Sequence, residues 1–133
     1  MLRTLRASVH QQSYILIVET DDLIRGLLER WLGEAGYAVV AGTLQKLLEK
    51  RIRQGMPRLI IADIPSPRGA ATLIQSLQEV YSSPMLILSA RFRRGLGVSA
   101  SAARQLGVRR VLPKPFTRAE LIAAVRESIE ASE

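Results

Sequence analysis

The sequence predicts an α/β fold: a five-stranded parallel sheet, doubly wound, in a (βα)5 order. Three observations carry that expectation. Short continuous apolar runs recur along the chain, segments with apolar residues at helical spacing alternate with them, and reactive polar side chains fall where the runs end. Continuous runs suit strands covered on both faces, and strand–helix alternation leads to a parallel sheet with helices on either side.

The elements follow in order. Tyr14–Val18 is the first apolar run. Asp21 and Asp22 then supply N-cap and first-turn chemistry for a helix carrying Leu23, Ile24, Leu27, Leu28, Trp31 and Leu32 on its stripe. Gly33 and Gly36 are stop signals, and Tyr37–Ala41 reads as the second strand. Leu44, Leu47, Leu48 and Ile52 mark a second helix ending near Gly55 and Pro57. Leu59–Ala62 is a third strand ending at Asp63, after which Pro65 and Pro67 predict a loop. A helix follows with Leu73, Ile74, Leu77 and Val80 on one face. Met85–Leu88 is the fourth strand, ending at Ser89, and a basic loop leads to a helix over Ala100–Leu106. Val108–Leu112 is the fifth strand. Thr117 with Glu120 forms a capping box for a last helix, whose stripe is Leu121, Ile122, Val125 and Ile129.

Composition sets the outer bounds. The chain has 133 residues, 47% hydrophobic and 23% charged, which suffices for one packed domain over residues 13–131 behind a flexible polar arm at 1–12. It has no cysteine, which excludes disulfides and thiolate metal sites and fits a cytoplasmic setting. Its one histidine, His10, lies in the arm and reads as inert. No segment approaches the roughly 20 apolar residues of a membrane helix, and the arm does not read as a secretory signal. The net charge is +7. The stretch Arg91–Arg118 holds Arg93, Arg94, Arg104, Arg109, Arg110 and Lys114 besides its two ends, and no acid. Such a face suits an acidic partner surface or nucleic acid, although Phe92 is the one aromatic near its start, so base stacking is not supported.

In parallel sheets of this kind, active groups collect at the carboxyl ends of strands. Here those ends carry Glu19, Asp63, Ser89 and Lys114. A carboxylate pair, a hydroxyl and a lysine form a phosphoryl-handling set. Aspartate can form an acyl phosphate, lysine balances phosphate charge, the hydroxyl donates a hydrogen bond, and a divalent metal clamps the parts together.

These motifs resemble the receiver domain of two-component response regulators, over residues 13–131. Ile15-Leu-Ile-Val-Glu19 with Leu23-Ile24-Arg25 is similar to the family's acidic opening. Asp63 with Pro67, Ser89-Ala90 and Leu112-Pro-Lys-Pro-Phe116 follow in the family's order and spacing. The resemblance implies a receiver or flavodoxin-like fold. It also implies that Asp63 takes a phosphoryl group from a sensor histidine kinase or a phosphotransfer protein, and that Lys114 contacts it. Ser89 would reorient toward it. Mg²⁺ would be held by Glu19, Asp63 and the backbone carbonyl of Pro65, and the Lys114–Pro115 bond would be cis. The module would not be an enzyme beyond its own phosphotransfer and dephosphorylation.

Three departures stand out. Arg25 falls six residues after Glu19, which places Thr20 where the family has a second acid that ligates the metal. The loop Pro65–Gly69 is about two residues short against the usual form of the family's loop. Val111 stands where the family commonly has a switch aromatic. Two versions of a signalling module therefore compete: a phosphorylated receiver with weakened Mg²⁺ dependence, and a pseudo-receiver working without phosphate. Thr20 and the short loop favour the second. A small basic nucleic-acid-binding protein on the same fold is the alternative class, and a hydrolase using Asp63 ranks last for want of a general acid. Asp21 and Asp22 read as helix-start charges, and Thr117 as a cap.

Overall fold

The computed structural model describes residues 14–49, 55–64, 67–90 and 96–130. Its strands are β1 (Ile15–Val18), β2 (Val39–Gly42), β3 (Leu59–Asp63), β4 (Met85–Ser89) and β5 (Arg110–Pro113). Its helices are α1 (Asp22–Glu34), α2 (Leu44–Glu49), α3 (Pro67–Val80), α4 (Leu96–Leu106) and α5 (Arg118–Glu130). The strands pair in parallel in the order β2-β1-β3-β4-β5, as the alternation predicts. The arm at 1–12, His10, Pro65 and the start of the basic stretch (Arg91, Arg93 and Arg94) lie outside the described residues.

The unbroken apolar runs explain the two-sided core. Side chains alternate across a strand. Ile15, Ile17, Leu59, Ile61, Leu86 and Leu88 pack against Leu28 and Leu32 of α1 and Leu121, Val125 and Ile129 of α5. The alternate residues Leu16, Val18, Ile60, Ala62, Met85 and Ile87 pack against Leu47 of α2, Ile74 and Leu77 of α3, and Ala102 and Ala103 of α4. Each large side chain so buried contributes about 1.5–3 kcal/mol. Val111 belongs to the second layer and is buried.

Several element boundaries differ from the sequence reading, for identifiable reasons. Tyr37 and Val108 look like the first residues of strands but serve as helix caps. Gly36, at φ 98°, donates to the Gly33 carbonyl while Tyr37 N–H donates to Leu32. Gly107, at φ 72°, donates to Arg104 while Val108 N–H donates to Ala103. Both are Schellman closures with glycine in the left-handed region, and each postpones its strand by two residues. Pro67 opens α3 instead of extending a loop, because the first turn of a helix has no use for the N–H that proline lacks. α4 begins at Leu96, four residues earlier than predicted, and takes in Gly97. The stripe of α1 is wider than its buried face: Leu28 and Leu32 are fully buried, whereas Leu23 is 85% exposed and Leu27 42%.

The expected caps form. Thr117 N–H donates to Glu120 Oε1 at 2.8 Å, and Glu120 N–H donates to Thr117 Oγ1 at 3.1 Å, closing the capping box of α5. Urea denaturation of Leu32→Ala should show a loss of about 2–5 kcal/mol, the cost of a cavity in the β1/β3–α1 layer. Thr117→Ala should lose about 1 kcal/mol with the slope m unchanged.

Candidate functional site

The chain winds from β1 to β2 on one side of β1, then returns to β3 on the other. That reversal leaves a crevice at the carboxyl ends of β1 and β3, and Glu19 and Asp63 stand at it. Glu19 prolongs the ladder, its N–H donating to the Gly42 carbonyl at 3.1 Å. Its side chain is buried, at 3% exposure. Oε1 accepts the Asp21 N–H at 3.0 Å, while Oε2 is buried with no donor, and the Glu19 carboxyl is within side-chain hydrogen-bonding reach of Asp63 when one of the two is protonated. Asp63 ends β3 and forms an ion pair with Lys114, through Oδ1 and Nζ.

Lys114 is delivered by the end of β5. Its N–H donates to the Ser89 carbonyl at 2.9 Å, so the lysine backbone is keyed to the neighbouring strand end. The Lys114–Pro115 bond is cis, as the resemblance implied. Ser89 ends β4, opposite Pro113, and is buried. The structure thus brings Glu19, Asp63, Ser89 and Lys114 to one edge of the sheet. Thr20 is exposed on the turn into α1. Asp21 is engaged as the N-cap of α1, its Oδ1 accepting the N–H groups of Leu23 and Ile24 at 2.9 and 3.1 Å. Asp22 pairs with Arg25 on the surface.

Burial pushes the Glu19 carboxyl above the usual carboxylate range. The Asp63 charge adds to the rise, whereas the Asp21 N–H and the Lys114 ammonium oppose it. A buried carboxylate oxygen without a donor is a seat for a cation or a proton. Among the described residues no cluster of three or more metal-ligating side chains occurs. Mg²⁺ needs only one or two carboxylates when water completes its octahedron, so Glu19 and Asp63 fit it with a reduced donor set.

Two features escaped the sequence reading. Arg25 served there only to set register, yet its Nη1 donates to the Glu19 carbonyl at 2.9 Å. Trp31, on the apolar stripe of α1, packs half-buried against the core, and with Ile24, Leu27, Ala90, Lys114 and Phe116 it lines an apolar cavity of about 430 Å³ beside the site. The acid-free basic stretch is also less lopsided in space than in sequence. Arg110 pairs with Glu127 at 2.7 Å, Arg118 with Glu34 at 3.3 Å, and Lys114 with Asp63, while Arg109 donates to the Ser128 carbonyl.

A match to the response regulator receiver domain spans residues 15–126, and the chain belongs to that family. Protein PetR of Rhodobacter capsulatus is 32% identical over 114 residues, covering 84% of this chain and 46% of the relative. Transcriptional regulatory protein PdtaR of Mycobacterium tuberculosis is 33% identical over 120 residues, covering 86% and 56%. A response regulator receiver protein of Sinorhizobium medicae superposes with a TM-score of 0.68 at 24% identity, covering 91% of this chain and 97% of that one. The chain therefore spans about half the length of these curated relatives. It is a two-component signalling receiver module with the receiver/flavodoxin-like fold. Such domains are generally signalling modules without enzymatic activity, typically bind Mg²⁺ at the phosphorylation site, and meet histidine kinases or phosphotransfer proteins and output domains. No described helix is long and apolar enough to cross a membrane. Nothing in these relatives favours the nucleic-acid alternative.

The raised Glu19 carboxyl has a consequence for stability. A group whose folded pKa exceeds its unfolded value binds more protons when folded, so its contribution is lost as pH rises from the ordinary carboxylate range through the folded value. Thermal melts of metal-free protein should show that loss. Glu19→Gln should remove it, gaining on the order of 1 kcal/mol at pH 8 relative to wild type and little at pH 4.

Proposed function

We propose that Asp63 is a working phosphoacceptor and that Glu19, Ser89 and Lys114 are its accessory residues. The observation that carries this reading is the assembled cluster. Lys114 already holds the Asp63 carboxylate, and the buried, unpartnered Glu19 Oε2 stands ready for a cation.

In the step, an Asp63 carboxylate oxygen attacks the phosphorus of a phosphohistidine on a sensor kinase or phosphotransfer protein. The P–N bond breaks, the imidazole leaves with its electron pair and takes a proton, and an acyl phosphate remains. Lys114 turns from the carboxylate to the new phosphoryl oxygens and balances their charge. The Ser89 hydroxyl donates to one of those oxygens, drawing the end of β4 toward the site. Glu19 and Asp63 would hold Mg²⁺, with the Pro65 carbonyl as the further ligand that the resemblance implies, and the ion would supply further charge neutralisation at the phosphoryl group. With Thr20 in place of an acid the site leans more on Lys114 than a site with two opening acids does. Val111 is buried and aliphatic, so the change at Ser89 passes to the surface of α4, β5 and α5 without a swinging aromatic ring. Output follows by protein contact, in the cytoplasm, through the basic stretch Arg91–Arg118, where an acidic partner would meet the exposed Arg104 and compete for the cations already paired within the chain.

Incubation with acetyl phosphate and Mg²⁺ should add one phosphoryl group by intact mass, lost in Asp63→Ala and strongly reduced in Lys114→Ala. A folded protein that takes up no phosphate would instead indicate the pseudo-receiver. Thr20→Asp, which restores a charged ligand, should tighten Mg²⁺ binding by roughly tenfold or more in calorimetry. An unchanged affinity would place the metal elsewhere.

A further inference from the structure

The turn that presents Glu19 is closed by hydrogen bonds on every side. The Glu19 carboxylate accepts the Asp21 N–H, the Asp21 carboxylate caps α1, and the Asp21 carbonyl accepts the Arg25 N–H at 2.9 Å. The Arg25 guanidinium completes the circuit. Its Nη1 donates to the Glu19 carbonyl at 2.9 Å, and its Nη2 pairs with Asp22. The Arg25 side chain is 22% exposed, whereas that of Asp22 is 85% exposed.

We propose that Arg25 is a positioning residue for the Glu19 carboxylate. By pinning the Glu19 carbonyl it fixes the backbone between Glu19 and Asp21, from which the Asp21 N–H reaches Oε1. Holding Oε1 in place sets where Oε2 lies beside Asp63. The proposal rests on the reading of Glu19 as a metal-side carboxylate. Thr20 gives it weight: with no carboxylate at the next position, an ill-aimed Glu19 has no substitute. The geometry also distinguishes Arg25 from an ordinary surface pair. An exposed i,i+3 ion pair with Asp22 contributes little by itself. The bond to the Glu19 carbonyl is a separate contact, made by a different nitrogen. A planar guanidinium can hold both at once, whereas a lysine ammonium reaches them less well together.

The test compares wild type with Arg25→Met, Arg25→Lys and Asp22→Asn by two readouts. The first is hydrogen exchange of the Asp21 amide in the metal-free protein, with the Ile60 and Ile61 amides as reference. The second is the Mg²⁺ dissociation constant, read from the emission of Trp31, which shares a cavity wall with Lys114. In Arg25→Met the Asp21 amide should exchange about tenfold faster. Its Mg²⁺ dissociation constant should rise about tenfold, as for loss of an outer-shell partner. The reference amides should not change, Arg25→Lys should recover part of both effects, and Asp22→Asn should show neither. If Arg25→Met behaves like Asp22→Asn, the proposal is overturned and Arg25 is a surface partner of Asp22. If wild type binds no Mg²⁺ while the Asp21 amide is released in Arg25→Met, the positioning role stands and the metal reading of Glu19 fails.

Discussion

Charge buried at the rim of an apolar sheet must be answered by charge, and that requirement shapes this molecule more than any other. The strands are almost wholly apolar, so their core asks only for volume and shape. At their carboxyl ends Glu19 and Asp63 are drawn out of water within reach of one another. Two carboxylates so placed repel, and the cost of desolvating them is several kcal/mol unless a partner offsets it. Lys114 answers Asp63, and the Asp21 N–H answers half of Glu19. The other half, Oε2, is left open. That open oxygen is the feature on which the proposed cation site rests.

The sheet makes this convergence possible. Reversal of the strand order next to β1 opens the crevice, and parallel pairing brings every carboxyl end to the same side. The link from Lys114 N–H to the Ser89 carbonyl ties the lysine to the hydroxyl-bearing strand. In the proposed mechanism a shift of Ser89 toward a phosphoryl group would be felt at β5, next to the layer that holds Val111 and α4.

Much of this was legible in the sequence, for physical reasons. Continuous apolar strands can be covered on both faces in only a few ways, and alternation with helices removes most of those. Glu19, Asp63, Ser89 and Lys114 were readable because each directly follows or ends an apolar run, which places it at the rim. The limits were equally physical. Tyr37 and Val108 have the composition of strand residues, and only the hydrogen bonds around Gly36 and Gly107 reveal them as caps. Leu23 and Leu27 keep helical spacing yet face solvent, because periodicity marks an apolar stripe and not how much of it is covered. The contact from Arg25 to the Glu19 carbonyl involves a main-chain oxygen, which leaves no trace in side-chain patterns. The acid-free basic stretch meets acids from α1, β3 and α5, pairings that depend on tertiary contact alone.

If the proposal holds, Glu19, Asp63, Ser89 and Lys114 form a functioning phosphoryl-acceptor site despite Thr20. The most direct measurement is fluorine NMR of the protein mixed with beryllium and fluoride, whose BeF₃⁻ group binds a carboxylate as a phosphoryl mimic. Protein-bound fluorine signals that require millimolar Mg²⁺ and vanish in Asp63→Asn are expected. A folded wild-type protein with no bound signal at any Mg²⁺ concentration would contradict it.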